Sequence, residues 1–218
     1  MISVVRCPGR LEKSGGHFAG KDLYGVVEFT FDLQNIMAMY TSSEPLAIIV
    51  GGPAGTGKTT VGEGLAEKLD ASYIEGDSLH PPANIEKMSN GIPLTDDDRW
   101  DWLTDVAKTV SSRAKGVSVG SCSALTKKYR AHLREHAGNT KFIVVFLWAE
   151  KDELHRRVSG RKGHYMGANM VQSQYDLMQV PQSDEADFCI PLLTDAPPEE
   201  LIGRVLTDLE ERKLISKR

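Results

Sequence analysis

The chain has 218 residues, which suits a single domain with a sizeable core and leaves room for an appended segment. Its 40% hydrophobic and 26% charged residues are ordinary for a soluble globular protein, and no apolar run approaches the roughly 20 residues that cross a bilayer. The net charge of −4 argues against a general nucleic-acid binder, because such proteins carry a basic surplus for phosphate contacts.

The N-terminal residues 1–44 stand apart as an extension. Up to Lys21 they carry four basic residues against one acid, Glu12, which weakly resembles an organelle-targeting segment. We prefer to interpret them as a dispensable extension or a mistaken start of translation, and their role stays open. Apolar and polar residues alternate enough over residues 23–31 to predict a strand, but the segment contains no recognisable catalytic or binding motif.

The three cysteines are Cys7, Cys122 and Cys189. They are odd in number, far apart and without metal-ligand spacing, so a disulfide framework is not expected and a reducing compartment fits better. We interpret Cys122 and Cys189 as small buried residues near strand ends.

From Leu46 onward, apolar strands alternate with amphipathic helices. The predicted strands are 46–50, 72–75, 117–122, 142–148 and 186–192, and the predicted helices are 58–69, 100–115, 126–136, 151–158, 168–178 and 199–213. Alternation of this kind requires crossover connections between parallel strands. The pattern therefore predicts an α/β domain over 45–218, with a parallel sheet covered by helices on both faces.

A phosphate-binding motif lies between the first strand and the first helix. It matches G-x-x-x-x-G-K-[ST] and comprises Gly52, Pro53, Ala54, Gly55, Thr56, Gly57, Lys58 and Thr59, with Thr60 directly after it. The glycines let the backbone N–H groups turn toward phosphate oxygens, and the helix N-terminus adds positive charge. Lys58 is expected to reach the β- and γ-phosphates, and the Thr59 hydroxyl to ligate Mg²⁺. The motif predicts that the chain binds ATP with Mg²⁺.

Two acids, Glu75 and Asp77, follow at the end of the second strand. Asp77 is suited to orient and deprotonate a substrate hydroxyl, and Glu75 to hold Mg²⁺ through water. Taken alone, acids in this position are more often turn residues, so both interpretations stay open on these residues.

Several segments together resemble the gluconokinase family. They are 75–81 (EGDSLHP), 84–88 (NIEKM) and 91–99 (GIPLTDDDR), followed by 122–125, 129–130, 161–164, 179–181 and 184–187. The resemblance runs in unbroken order from about Ile48 to Leu192. Related P-loop shikimate and nucleoside-monophosphate kinases lack the Leu-His-Pro and Asp-Asp-Arg segments. Two departures are Glu75, where many members have aspartate, and Asp101, where proline is common.

The resemblance implies an adenylate-kinase-like P-loop fold, a three-layer sandwich with a five-stranded parallel sheet and a mobile lid at about 157–168. It implies that residues 78–99 cover the acceptor and that the γ-phosphoryl group passes from ATP to the 6-hydroxyl of D-gluconate. It further suggests a cytoplasmic homodimer. A related small-molecule kinase, such as one acting on shikimate, is the main alternative, and a nucleotide-sensing switch protein is a more distant one.

On this resemblance, the carboxylate of a sugar acid is expected to bind the planar guanidinium groups of Arg99 and Arg130, supported by Lys87 and His80. Alone, each of these residues is more often part of a surface ion pair. The backbone N–H groups of the turn Ser123, Ala124 and Leu125 are expected to contact substrate hydroxyls.

Basic residues of the predicted lid complete the expected site. Arg161 is the candidate to reach the phosphates during catalysis, Arg157 is a weaker one, and His164 is assigned to the acceptor site. The usual alternative for such a run is a solvated basic face. The acids Asp96, Asp97 and Asp98 resemble a metal cluster, but we interpret them as acids of a helix's first turn rather than ligands.

Overall fold

Seven strands and seven α-helices make up the described part of the chain. The computed structural model describes residues 40–114, 116–159 and 168–217, and the side chains of all of these except 168–170. The strands are β1 (Tyr40–Thr41), β2 (Leu46–Gly51), β3 (Ser72–Glu75), β4 (Val117–Ser121), β5 (Lys141–Trp148), β6 (Cys189–Leu193) and β7 (Ser216–Lys217). The helices are α1 (Lys58–Leu69), α2 (Pro82–Ser89), α3 (Trp100–Ser112), α4 (Lys127–His136), α5 (Lys151–Ser159), α6 (Ala168–Leu177) and α7 (Pro198–Glu211).

The central sheet has five strands in the order β3-β4-β2-β5-β6, and every neighbouring pair is parallel. In the middle of the sheet, Ile48 of β2 lies opposite Val119 of β4 and Ile143 of β5. Because all strands run the same way, their carboxyl ends meet at one edge. The segments that follow β2, β3 and β4 are therefore brought together there.

Alternate residues of β2 point to opposite faces of the sheet, as the pleat requires. Leu46, Ile48 and Val50 belong to the hydrophobic core on the side of α1 and α7, whereas Ala47 and Ile49 belong to the core on the side of α3 and α4. All six residues of β2 are buried, which is typical of a central parallel strand. The predicted five-stranded, three-layer α/β fold is confirmed.

A second sheet has two strands, β1 and β7, and is separate from the central sheet. Tyr40 of β1 pairs antiparallel with Lys217 of β7, and the Tyr40 side chain is buried against the α1 and α7 core. β1 precedes residue 45, where the domain is predicted to begin, and that boundary stays a prediction. Residues 1–39, with the strand predicted at 23–31, lie outside the described residues.

Most predicted elements agree with the structure within a few residues, and two differ. The last strand of the central sheet begins at Cys189 rather than at residue 186, because Ser183–Glu185 form a 3₁₀ helix before it. Helix α2 was expected only as part of an acceptor-covering segment; it begins at Pro82, where a proline suits the first turn. Cys122 and Cys189 are free and buried, as predicted.

A helix that crosses a bilayer needs about 20 consecutive, mostly apolar residues. None of the helices in the described part of the chain combines the length and apolar character that a bilayer crossing requires.

Candidate active site

The phosphate-binding loop connects β2 to α1 and requires glycine at specific points. Gly52 has φ +127°, and a Cβ there would lie 2.1 Å from the carbonyl oxygen of Leu147 in β5. Gly55 has φ +89°, and its Cβ would lie 2.9 Å from Val158 of α5. Both the backbone conformation and the close approach of neighbouring elements therefore exclude larger side chains at these two positions.

Contacts within and around the loop hold it in shape. Thr56 Oγ1 donates to the Pro53 carbonyl oxygen at 2.8 Å, and Lys58 Nζ donates to the same oxygen at 3.1 Å. The backbone N–H of Ala54 donates to Oε1 of Gln174 in α6 at 2.8 Å. Sequence reasoning missed Gln174, since nothing local in the sequence marks a contact between residues 120 positions apart.

The predicted metal-binding pair lies at the start of α1 and the end of β3. Thr59 Oγ1 donates to Glu75 Oε2 at 3.1 Å, so the hydroxyl and the carboxylate face the same small region. Hydroxyl and carboxylate oxygens are the hard donors that Mg²⁺ prefers, and these two residues therefore fit the ion. Nowhere in 40–114, 116–159 or 168–217 do three His, Cys, Asp or Glu side chains group as a metal site of their own.

An acceptor pocket opens beside the phosphate-binding loop. It is lined by Lys58, Asp77, His80, Met88, Pro93, Leu94, Arg99, Trp102, Ser123, Ser173 and Gln174. Four predicted substrate-binding residues are thus brought together with the lysine of the loop: Asp77, His80, Arg99 and Ser123. The lining combines cationic, acidic and apolar groups, which suits a small polar acceptor that carries a negative charge.

The segment that carries Asp77 is fixed by α3. Asp77 lies on the 3₁₀ helix Gly76–Leu79, and Trp102 Nε1 donates to the Gly76 carbonyl oxygen at 2.8 Å. The Trp102 ring also stacks on His80, with ring centroids 4.0 Å apart. These contacts explain how an exposed acid at the pocket keeps a defined position, and Trp102 is a second residue that sequence reasoning missed.

His80 is buried at the floor of the pocket. Burial lowers the pKa of His80 below its ordinary value of 6.5, and the nearby Asp77 carboxylate offsets part of that effect, while Arg99 adds to it. The imidazole is therefore neutral at neutral pH, so it can both donate and accept hydrogen bonds.

Arg99 lies at the start of α3 and is partly exposed to the pocket. Its Nη1 donates to the Tyr129 hydroxyl at 3.3 Å, and its guanidinium carbon lies 5.6 Å from the centre of that ring. Tyr129 in turn donates to a carboxylate oxygen of Asp96, which also pairs with Lys128. The guanidinium is therefore supported from one side by α4 while it lines the pocket.

Lys87 and Asp98 form an ion pair near this region, with Nζ 2.5 Å from Oδ1. Asp98 also accepts from the backbone N–H of Thr95 at 2.9 Å. Lys87 is not among the lining residues of the acceptor pocket, and its ion pair joins α2 to the turn before α3, so its contact with substrate stays a prediction. Asp96 and Asp98 both have cationic partners. The interpretation of Asp96, Asp97 and Asp98 as acids of a helix's first turn is wrong, because α3 begins at Trp100 and these acids lie in the turn before it.

The expectation for Arg130 is wrong. Its side chain is completely buried, Nε and Nη2 donate to the two carboxylate oxygens of Glu185 at 2.9 and 2.7 Å, and Nη1 donates to the carbonyl oxygens of Ala124 and Leu125. A guanidinium used in this way cannot reach a substrate carboxylate. Arg130 instead ties α4 to the turn after β4 and to the 3₁₀ helix Ser183–Glu185.

The turn after β4 contributes less to the pocket than expected. Ser123 lines it, and its carbonyl oxygen accepts from the backbone N–H of Gly52 at 2.9 Å. Ala124 (φ +43°) and Leu125 are buried, with carbonyl oxygens directed to Arg130. The Ala124 N–H faces the sulfur of Cys122, a contact that partly offsets the burial that raises the pKa of that thiol to about 12. Of the three, only Ser123 lines the pocket, and contact of this turn with substrate hydroxyls stays a prediction.

The basic residues of the predicted lid are described only in part. Arg157 donates from Nε to Glu153 at 2.6 Å, and from Nη1 and Nη2 to the side chain and carbonyl oxygen of Thr194 at 2.9 and 2.7 Å. These contacts join the end of α5 to the end of β6. Arg161 and His164 lie outside the described residues, as does most of the segment 157–168.

A phosphate-binding loop at the edge of this parallel sheet, with an acceptor pocket beside it, defines a P-loop kinase of small molecules. The family model described as Shikimate kinase matches residues 54–210. The chain is 45% identical over 156 residues to the protein named "Probable gluconokinase" of Saccharomyces cerevisiae, with 66% of this chain and 81% of that one covered. It is 36% identical over 167 residues to the thermoresistant gluconokinase of Escherichia coli K12, with 76% and 94% covered. Within this class, the chain belongs to the gluconokinase family.

A solved structure supports the same assignment. The crystal structure of a gluconokinase from Sinorhizobium meliloti 1021 matches with a TM-score of 0.69 at 40% identity, over 78% of this chain and 94% of that one.

Proposed function

We propose that this chain transfers the γ-phosphoryl group of ATP to the 6-hydroxyl of D-gluconate, giving 6-phospho-D-gluconate and ADP. The observation that carries the proposal is the acceptor pocket, in which Lys58 of the phosphate-binding loop, Asp77 and Arg99 line one cavity. A cationic group for phosphate, an acid for a hydroxyl and a guanidinium for a carboxylate are the three features that this reaction requires. The gluconokinase names of its relatives support the same substrate.

The acceptor is held by residues of the 3₁₀ helix, α3 and the turn after β4. Arg99 binds the gluconate carboxylate through its planar guanidinium, and Asp77 orients the 6-hydroxyl and accepts its proton as that oxygen attacks phosphorus. Neutral His80 and the Ser123 hydroxyl provide hydrogen bonds for the remaining sugar hydroxyls. In this arrangement the carboxylate and the reacting hydroxyl occupy opposite ends of an extended sugar acid.

The phosphates are held by the loop and by the start of α1. Backbone N–H groups of residues 55–60 and the Lys58 ammonium bind the phosphate oxygens, while Gly52, Pro53 and Ala54 form the first part of the loop. Thr59 and Glu75 hold Mg²⁺. When bound, Mg²⁺ neutralises charge on the phosphates. Arg161 belongs to the proposal as a source of positive charge that arrives when the lid closes over the site, with Arg157 as a weaker candidate for the phosphates. His164 belongs to it as a residue of the acceptor site. We also propose that the chain forms a homodimer and acts in the cytoplasm.

The experiment that tests the proposal is ADP release at saturating MgATP, compared with gluconate, shikimate, glucose and no acceptor. We expect strong stimulation by gluconate alone. Shikimate is included because the matching family model carries that kinase's description. Stimulation by shikimate but not by gluconate, or by neutral glucose as strongly as by gluconate, would overturn the proposal.

A further inference from the structure

The carboxylate of Glu75 accepts hydrogen bonds from three hydroxyl groups on three different elements. Oε2 accepts from Thr59 of α1 at 3.1 Å and from Tyr73 of β3 at 2.9 Å, and Oε1 accepts from Ser121 at the end of β4. The proposed metal-binding role uses only Thr59 and Glu75. Tyr73 and Ser121 therefore have no assigned part in the reaction, although both contact the same carboxylate.

The Tyr73 ring has a place made for it on α1. A Cβ at Gly62 would lie 2.6 Å from Cε2 of the ring, so a larger residue at this position of the helix would push the ring away. A glycine inside a helix costs about 0.5–1 kcal/mol relative to alanine. Here the absent side chain lets the ring lie against the helix, with its hydroxyl directed to Glu75.

Ser121 holds the other oxygen from the neighbouring strand. It is buried, and its Oγ also accepts from the backbone N–H of Gly76 at 3.3 Å. A Cβ at Gly76 would lie 1.9 Å from the Ser121 carbonyl oxygen, so the ends of β3 and β4 are in close contact at this point. The serine thus fixes both the carboxylate and the backbone that leads directly to Asp77.

Glutamate has three rotatable side-chain bonds, and a partly exposed carboxylate samples several rotamers unless it is held. The hydrogen bonds from Tyr73 and Ser121 reach both of its oxygens and leave further lone pairs available. Thr59 likewise donates its only proton to Glu75 and keeps its lone pairs for a cation. The four groups are therefore compatible with an ion held between Thr59 and Glu75.

We propose that Tyr73 and Ser121 are positioning residues that hold Glu75 in its Mg²⁺-binding orientation. This inference rests on the proposed function only for the use of a magnesium nucleotide, and it does not depend on the identity of the acceptor. Loss of an outer hydrogen-bond partner typically costs about 10- to 100-fold in metal affinity. Because two of the three hydroxyls remain in each single variant, we expect a loss of metal affinity at or below the lower limit of that range, roughly three- to tenfold.

The test measures the affinity for ADP by calorimetry with and without Mg²⁺. The quantity compared is the affinity with Mg²⁺ divided by the affinity without it. Tyr73→Phe keeps the ring and its packing on Gly62, and Ser121→Ala removes only one oxygen. For each variant we expect this ratio to fall roughly three- to tenfold, and the magnesium concentration that gives half-maximal turnover to rise correspondingly. Tyr40→Phe, in β1 at the other end of the domain, is the matched control and should leave both quantities unchanged.

An unchanged affinity ratio in folded Tyr73→Phe and Ser121→Ala proteins would overturn the inference. A lower ADP affinity that is equal with and without Mg²⁺ would also overturn it, because it would assign the two residues to loop shape instead. Failure of gluconate to stimulate turnover in the unaltered protein would refute the proposed function but would leave the affinity ratio interpretable.

Discussion

Arg99, at the start of α3, and Arg130, within α4, have the same expected task, and their surroundings in the structure differ. Arg99 is partly exposed, lines the acceptor pocket and rests against a neutral phenol. Arg130 is 0% exposed and its partner Glu185 only 3%, so both charges are removed from water and directed at each other. Two arginines in equally specific motifs thus have different surroundings, and only Arg99 is placed where a ligand could reach it.

Substitutions in the acceptor pocket and at the buried Arg130–Glu185 pair should also differ in their effect on the free energy of unfolding. A charge at the pocket can be altered without leaving an unpaired partner in the core, so its loss should affect binding or turnover. Removal of Arg130 leaves a buried carboxylate without its cation, which should affect folding. Variants of the two regions should therefore separate catalytic defects from stability defects.

The largest effect is expected from Asp77→Asn in the pocket. The amide keeps the size of the side chain but cannot accept the proton of the acceptor hydroxyl, so we expect turnover to fall about 10²- to 10⁴-fold. ATP affinity and the unfolding midpoint should stay close to those of the unaltered protein. Steady-state kinetics with gluconate and a thermal melt provide the measurements.

Asp97→Asn is the matched control, because it removes the same charge from an exposed acid that does not line the pocket. Turnover close to normal in Asp77→Asn would remove this residue from the role of proton acceptor.

The next effect is expected in the buried region, from Arg130→Met. Breaking a buried ion pair on one side should lower the free energy of unfolding by about 3–5 kcal/mol, measured by urea denaturation. Adding Glu185→Leu should recover much of the loss, because the unpaired charge is then removed as well.

Arg134→Met is the control, because it removes the same positive charge from an exposed ion pair instead of a buried one. Arg134 lies one turn further along α4 and pairs with Asp187 at 2.7 Å, with both side chains about half exposed. Its loss should cost only about 0–1 kcal/mol. Equal destabilisation by the two substitutions would contradict the contrast between buried and exposed arginines.

The smallest effect is a dependence of stability on pH that comes from His80. Its pKa is lowered by burial, so below pH 6.5 the unfolded chain binds more protons at this residue than the folded one. The free energy of unfolding should therefore fall as the pH falls from 6.5 toward the lowered pKa, by at most about 1.4 kcal/mol per pH unit.

The comparison protein for this measurement is His80→Gln, studied by urea denaturation at several pH values. Its absolute stability will differ, because the stacking on Trp102 is lost, but its stability should fall less steeply between pH 6.5 and 5. The pKa of His132 is also lowered by burial, and this residue contributes equally to both proteins. Identical slopes would show that His80 does not titrate in this way.

Local sequence was sufficient to predict the central sheet and the phosphate-binding loop. The loop depends on consecutive residues with fixed backbone demands, and the strands depend on short apolar runs. Thr59 is the last residue of the phosphate-binding motif and Glu75 is the last residue of β3, and they meet at the same edge of the sheet. Their binding of Mg²⁺ stays a prediction.

Contacts between distant segments could not be predicted in this way. Glu185, the partner of Arg130, is 55 positions away, and a basic residue on an amphipathic helix gives no sign that it will be buried. The contacts of Gln174 with the phosphate-binding loop and of Tyr73 with Gly62 likewise depend on how α6 and β3 pack. The pairing of β1 with β7 joins two-residue strands near opposite ends of the chain, too short for a periodic signal.

Arg99 is central to the proposed function, because it is expected to hold the carboxylate of the acceptor. The direct measurement is the apparent KM for gluconate of Arg99→Met at saturating MgATP. Loss of a charged hydrogen bond worth about 1.5–3 kcal/mol predicts a KM raised roughly 10- to 100-fold, with the KM for ATP little changed. An unchanged KM for gluconate in the folded variant would contradict the claim.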